Sequence, residues 1–424
     1  MIMKINRKRS DHKHNFFAFL WHGVFLQLAG AFTQINTVQT ALIHTLTGSP
    51  FLSGLMMSMH RIGHVVPQLF FVNWVERTPR KKNFLIAAVL IRGLSLLTIA
   101  LILWLLYKPF PVLSIVLILL FSLLFFLTGG MGDVSYFAVF SKTIKSDRRG
   151  TLYGLRLFFG GLLGLGAGYL TKIIFSRVTD FPHNYMLLYI LSAVAMFVAF
   201  AGFYQLREKA DSVKPKTRHW YKHFVLLKGN PYFVRLIITE LMLTAAHIAF
   251  PLYILFARTE LDVSEQQLGW FVTAQIAGEI IAGPLWGRLG DRVNFRLVLV
   301  LIGITGTMTP LLAIFLPLVH IDLYLIVFFL VGTNLKGLSL GVANYLMILV
   351  PNDSIPSHVA VKNMLQFPTI FYPLMGGILV AFISYQTVFW LVSAMLFAGT
   401  LLSVNLYCVR SQNKQRMRLM RLFD

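Results

Sequence analysis

Apolar stretches of membrane-crossing length recur from one end of the chain to the other, and this limits the possible folds more sharply than any other feature. A helix that crosses a bilayer needs about 20 mostly apolar residues, because hydrocarbon offers the backbone no hydrogen-bond partners and a helix satisfies its own. Twelve such spans can be read. The first six are Asn15 to Ile43, Pro50 to Trp74, Phe84 to Tyr107, Val112 to Phe140, Leu152 to Phe175 and Tyr185 to Tyr204. Six more run over Tyr232 to Ala257, Leu268 to Trp286, Leu297 to Leu318, Ile321 to Val350, Val361 to Ile383 and Val388 to Tyr407. Only 13% of the residues are charged, against about 25% in soluble domains, and the mean hydropathy is +0.70. The predicted fold class is an all-α polytopic membrane protein.

A net charge of +22 would suit a nucleic-acid partner, but its distribution argues against one. Of the 38 Lys and Arg residues, 29 fall in the two tails and the loops that alternate with them, counting Lys362 at the start of span eleven; the opposite loops hold only Lys108, Arg177 and Arg258. Basic loops stay on the cytoplasmic side. Both termini are therefore expected in the cytoplasm, in an integral plasma (inner) membrane protein whose macromolecular surroundings are the lipid bilayer. The basic start before the first span resembles a signal peptide, but that span is too long and shows no small-residue cleavage site, so retention is expected. A single cysteine, Cys408, excludes an intrachain disulfide, and no cofactor is expected.

The chain is also written twice. A basic segment follows the second span (Glu76, Arg77, Pro79, Arg80, Lys81, Lys82), and another follows the eighth (Gly287, Asp291, Arg292, Asn294, Arg296). Glu76 and Asp291 stand 215 residues apart, about half of the 424. The same shift aligns Gly54 with Gly269, His60 with Gln275 and His64 with Glu279, while a shift of 209 further on pairs Tyr136 with Tyr345 and Gly168 with Gly377. Duplication of an ancestral half accounts for this. The polar, basic stretch 207–230 then reads as a cytoplasmic linker between six-helix bundles at 15–206 and 231–409, with tails at 1–14 and 410–424.

The loop after span two resembles the G-x-x-x-D-R-x-G-R-R signature of the major facilitator superfamily, with Glu76 in place of the acid and Val72 and Pro79 in place of glycines. Its second copy keeps Gly287, Asp291, Arg292 and Arg296, and Asp147, Arg148, Arg149, Gly150 and Gly154 resemble the matching loop ahead of span five. The resemblance implies two pseudo-symmetric six-helix bundles and a transporter working by alternating access. It also implies a conformational latch, with Glu76 and Asp291 as acids and Arg77, Arg80, Arg292 and Arg296 as partners. A purely topological role for these charges is the alternative. In the superfamily, spans 1, 4, 7 and 10 line the central cavity and spans 2, 5, 8 and 11 flank it. Proton-linked drug exporters of the superfamily usually carry G-P-x-x-G-G in span five; here a P-x-x-G-G (Pro373, Gly376, Gly377) stands only in span eleven.

An ionisable side chain at bilayer depth costs several kcal/mol, about 2.5–3.5 on an insertion scale, so each one asks for a reason. His60, Arg61 and His64 on span two, Asp133 on span four, Glu240 and His247 on span seven, Glu279 on span eight and Lys336 on span ten are candidates for binding solute or protons. Gln34, Asn36, Gln275, Asn334 and Gln366 could hydrogen-bond a solute or join helices. His60 and His64 lie one turn apart, as in the zinc motif H-E-x-x-H, but Arg61 replaces the general base and no third ligand is evident, so no metal is assigned. Arg92 and Arg156 compete to pair with Asp133. A carboxylate near Lys336 would stay ionised and one left alone would take a proton, which suggests proton coupling; a static ion pair is the alternative.

These readings converge on a monomeric secondary transporter of a small solute, coupled to protons, with export or antiport favoured. A non-transporting sensor or assembly partner of the same fold stands as the alternative. An intramembrane enzyme on lipid-linked substrates fits less well, because no acidic or metal-binding cluster lies at a membrane boundary. No nucleotide-binding loop is present.

Overall fold

Each apolar stretch becomes helical in the computed structural model, which describes residues 2–210, 230–350 and 355–407. Most of the linker at 207–230, Cys408 and the tail at 410–424 lie outside the described residues. The helices are α1 (Ile2–Phe32), α2 (Thr40–Thr47), α3 (Pro50–Glu76), α4 (Lys82–Leu101), α5 (Pro111–Thr143), α6 (Ser146–Arg177) and α7 (His183–Tyr204). They continue with α8 (Pro231–Leu243), α9 (Ala246–Thr259), α10 (Glu265–Arg292), α11 (Phe295–Val319), α12 (Leu325–Leu349), α13 (Ile355–Leu365), α14 (Tyr372–Val380) and α15 (Tyr385–Val404). Among the described residues, ten segments are long and apolar enough to cross a membrane. The 27-residue α3 has the length as well, about 40 Å at 1.5 Å per residue. The all-α polytopic architecture expected from the sequence is the one observed.

Three expected spans are interrupted, and local chemistry explains each break. Span one parts after α1 and continues through a π-helical turn, Ile35–Gln39, into α2. Gln34 Oε1 accepts from Ile35 N–H at 2.8 Å and Gln39 Nε2 donates to the Thr33 carbonyl at 2.7 Å, so the two amides satisfy backbone groups that the break frees. Span seven parts between α8 and α9, where Thr244 Oγ1 donates to the Glu240 carbonyl and His247 Nδ1 donates to the Thr244 carbonyl. The first span of each half is thus broken in the same region. In span eleven, Pro368 and Pro373 lack N–H donors and start a 3-10 turn (Phe367–Phe371) and α14, leaving the span in three pieces.

By its internal packing the chain divides into two compact units, Met1–Thr217 with Ala257–Ile276, and Arg218–Phe256 with Ala277–Asp424. In the first, α1 packs on α6 and α7, α3 on α5, and α4 on α5 and α7. In the second, α8 packs on α12 and α15, and α11 on α12 and α15. Three pairings therefore recur: first span with sixth, third with fourth, and third with sixth of each half. Phe233, Leu236, Trp286, Val298, Leu299 and Tyr345 form the centre of the second unit's apolar core.

The units do not coincide with the sequence halves, because residues 257–276 pack with the first six spans. Arg258 Nη1 donates to Thr45 Oγ1 at 2.7 Å, Arg258 Nη2 pairs with Glu265 at 3.3 Å, and Glu265 accepts from Asn184 Nδ2 at 2.7 Å. Nearby, Gly168 and Gly269 allow α6 and α10 to touch backbone to backbone: a methyl on either would collide with Thr273 or with the Lys172 amide.

Candidate functional site

The glycines Gly63 on α3 and Gly278 on α10 stand 215 residues apart, in the register that the duplicated loops define. Each is a point of closest approach. A methyl on Gly63 would strike Phe126 of α5, and one on Gly278 would strike the Phe329 carbonyl of α12. Phe126 and Phe329 stand 203 residues apart, so spans four and ten align at 203 rather than at the 209 read from Tyr136 and Tyr345. Those tyrosines do different work: Tyr136 accepts from Arg156 at 3.2 Å, whereas Tyr345 donates to the Tyr407 carbonyl at 2.8 Å.

Next to each contact glycine sits a titratable residue, and each reaches a partner on the helix it crosses. His64 Nδ1 lies 2.9 Å from Asp133 Oδ2. Lys336 Nζ lies 3.4 Å from Glu279 Oε2. His64 and Glu279 are related by 215, Asp133 and Lys336 by 203, the same two registers as the glycines and phenylalanines. The pairs are therefore repeats of one another with the charges exchanged: base on span two and acid on span four, then acid on span eight and base on span ten. Both are partly open, with side chains 38% and 43% exposed in the first and 22% (Glu279) and 51% (Lys336) in the second, so neither contributes more than about 1 kcal/mol to stability.

Asp133 thus takes His64 as its hydrogen-bonded partner, where the sequence matched it to Arg92 or Arg156. Arg92 lies with its guanidinium 4.3 Å over the Phe125 ring, and Arg156 bonds Tyr136 and lies across Gly23 of α1. His60 stacks edge-on against His64, ring centres 4.9 Å apart, and against Phe126. Arg61 is half-buried beside them. Among the described residues no group of three or more His, Cys, Asp or Glu side chains is placed to hold a metal ion.

Glu240 pairs with Lys362 at 2.8 Å, each side chain only 13% exposed. This joins the halves of the broken spans seven and eleven, and the sequence missed it because Lys362 reads as the last charge of a cytoplasmic loop. Gln366 donates to the Ile237 carbonyl across the same contact. Asn334 accepts from Thr305 at 2.7 Å and donates to Thr309 at 3.3 Å, so it joins α12 to α11. Gln34 is spent on the break of span one, Asn36 and Gln275 are buried, and His247 sits at the break of span seven.

Of the latch residues, Arg77, Arg80, Asp291 and Arg292 are exposed at helix ends and Arg296 is half-buried; the Glu76 side chain lies outside the described residues. Asn294, in the second copy, caps α11 by accepting from Leu297 N–H at 2.7 Å. Sequence reasoning passed over Glu208. Its carboxylate, fully buried, accepts from the Lys82 backbone N–H at 2.7 Å and lies 3.5 Å from Lys142 Nζ, at the positive N-terminal end of α4.

The sequence profile of the Major Facilitator Superfamily matches this chain twice, over residues 20–256 and 236–417. No curated protein matches it in sequence. Among solved structures, a peptide transporter of the POT type shares the fold with a TM-score of 0.69 at 14% identity, over 94% of this chain and 97% of that one. A bacterial homologue of the iron transporter ferroportin, in an inward-facing state, gives 0.68 at 12% identity over 92% and 98%. A bacterial homologue of the human lysosomal transporter Spinster gives 0.60 at 12% over the same shares. With its matched helix pairings and its two profile matches, the chain belongs to the major facilitator superfamily of secondary transporters.

Proposed function

We propose that this transporter couples movement of a small solute to protons, and that the charge-exchanged pairs His64–Asp133 and Glu279–Lys336 carry the coupling. The observation behind the reading is their recurrence at the same two registers of the repeat. Moving Glu279 away from Lys336 and back would change the charge its carboxylate faces, and that change would tie proton uptake and release to transport. Each pair lies within one half, so a shift of span two against span four, and of span eight against span ten, during alternating access would make and break such contacts. His60, Glu240 and His247 are further candidate carriers, and Glu76, Arg77, Arg80, Asp291, Arg292 and Arg296 remain the proposed latch.

The one-sided distribution of Lys and Arg supports an inner-membrane location with both termini cytoplasmic. Export or antiport is the favoured direction. The cargoes in the names of the structural neighbours differ from one another, and at 12–14% identity none is carried over. The superfamily is generally non-enzymatic, in keeping with a binding rather than a catalytic role for these side chains.

The test begins with a thermal-shift screen of the purified protein against solute classes at two pH values, since a ligand of the native state raises its stability. Proteoliposomes containing a pH-sensitive dye then report proton movement with the selected solute. Glu279→Gln is expected to leave solute counterflow in place and to uncouple it from protons. Unchanged coupling removes Glu279 from the mechanism, and absence of any counterflow in the unmodified protein favours the non-transporting alternative.

A further inference from the structure

Within the first unit a polar chamber of about 170 Å³ opens between α1, α4, α5 and α6, and it holds more positive charge than its walls consume. Its charged, histidine and tyrosine lining is His22, Arg92, Asp133, Tyr136, Tyr153 and Arg156; Thr128, also in the wall, donates to the Leu124 carbonyl of its own helix. The histidine is built into the wall, stacked on Phe203 with ring centres 3.5 Å apart and donating to the Ala199 carbonyl. Asp133 is taken by His64. Two arginines remain. Arg156 spends one donor on Tyr136, out of the five N–H groups of a guanidinium. Arg92 rests on Phe125, and its Nε is buried without a hydrogen-bond acceptor among the described residues.

A guanidinium at bilayer depth with an unsatisfied donor calls for an anion. Asp133 is engaged by His64 rather than by either arginine, so Arg92 and Arg156 give the chamber positive charge to spare; the Asp133 carboxylate in the same wall disfavours a second negative charge on the ligand, which selects a monoanion over a dianion such as phosphate. The volume is below the roughly 300–1,000 Å³ of sites for drug-sized ligands. Leu26 and Leu85 add an apolar side to the chamber. We infer that this chamber binds the carboxylate of a small organic monoanion, with Arg92 and Arg156 holding its oxygens and the apolar wall receiving a short hydrocarbon body. Planar, forked donors suit a carboxylate better than a point charge does.

Calling this anion the cargo rests on the transport reading above, but binding can be tested apart from coupling. The full-length protein in detergent is heated with sodium butyrate, butyramide, butylamine or inorganic phosphate at equal ionic strength. Butyrate is expected to raise Tm saturably, while the neutral and cationic analogues and phosphate do not. Arg92→Gln and Arg156→Gln are each expected to weaken butyrate binding about ten-fold or more, the size of one lost charge-assisted hydrogen bond. Arg156→Lys should fall between, and Arg288→Gln, which removes an exposed charge on α10, should match the unmodified protein. No shift with butyrate, an equal shift with butyramide or phosphate, or folded Arg92→Gln and Arg156→Gln variants that bind butyrate normally would each overturn the inference. If those variants do not fold, the comparison of butyrate with butyramide on the unmodified protein decides. Unchanged proton coupling in Glu279→Gln, with butyrate still bound, would sink the coupling proposal and leave the chamber standing.

Discussion

The two repeats hold their intramembrane charges differently. In the first, the acid Asp133 meets a histidine in a half-open setting, and two arginines face a chamber with little to neutralise them. In the second, both acids have lysines: Glu279 meets Lys336 in a partly open contact and Glu240 meets Lys362 almost out of solvent. One ancestral helix crossing has thus been kept while its chemistry diverged, toward anion attraction in the first repeat and internal neutrality in the second. Backbone contacts change slowly because glycines such as Gly63 and Gly278 leave no room. The side chains beside them can be exchanged.

The contrast is broken most forcefully at the buried pair. Lys362→Ala removes the lysine that faces the buried Glu240 carboxylate and should lower stability by about 3–5 kcal/mol, read as thermal unfolding in detergent. Glu240→Leu combined with Lys362→Met should recover nearly all of that loss, because a hydrophobic pair of similar volume avoids the desolvation cost. If Lys362→Ala costs no more than a surface pair would, the second repeat does not seal its charges and the contrast fails.

Matched glycine substitutions sharpen the common frame. Gly63→Ala and Gly278→Ala should each cost about 1–3 kcal/mol and within error the same amount, since each drives a methyl into the facing helix. Gly30→Ala and Gly166→Ala, where nothing stands within 4 Å, should be neutral or stabilising by up to about 1 kcal/mol. Unequal costs at Gly63 and Gly278 would argue that the two crossings are not equivalent.

Smallest in stability, and most direct on function, is transposition of the pairs. His64→Gln or Glu279→Gln should change stability by less than about 1 kcal/mol, given their exposure. Asp133→Lys replaces the acid beside His64 with a cation, and adding His64→Glu should restore what it loses by copying the second repeat's arrangement into the first. A double variant no better than Asp133→Lys alone would show that the two pairs do not occupy interchangeable settings.

Much of this frame was legible before any coordinates. Apolar length marked the helices, and the 215-residue register placed His64 opposite Glu279 because span two and span eight carry no insertion relative to each other. Spans four and ten were misaligned for a physical reason: the tyrosines used to align them do different work, whereas the register is set by close approach of the facing glycines at Phe126 and Phe329, two phenylalanines among many in the spans. Lys362 was invisible as an intramembrane residue because α13 follows a polar loop and the helix carries it inward beside Glu240. The breaks at Gln34 and Thr244 were hidden too, since amide and hydroxyl side chains that mend a backbone look like side chains that await a ligand. Polar residues in a span signal a need for partners without saying whose.

The strip 257–276 has a practical consequence. Because it is stitched to Thr45, Asn184 and the α6 backbone, a gene cut within the linker would yield a leading piece deprived of a surface that its own sixfold of helices was shaped to hold. The two fragments, made separately, should be poor folders, and together they should reassemble by mutual rescue. Evolution could double this protein from one ancestor, but a pair of scissors can no longer return it to two.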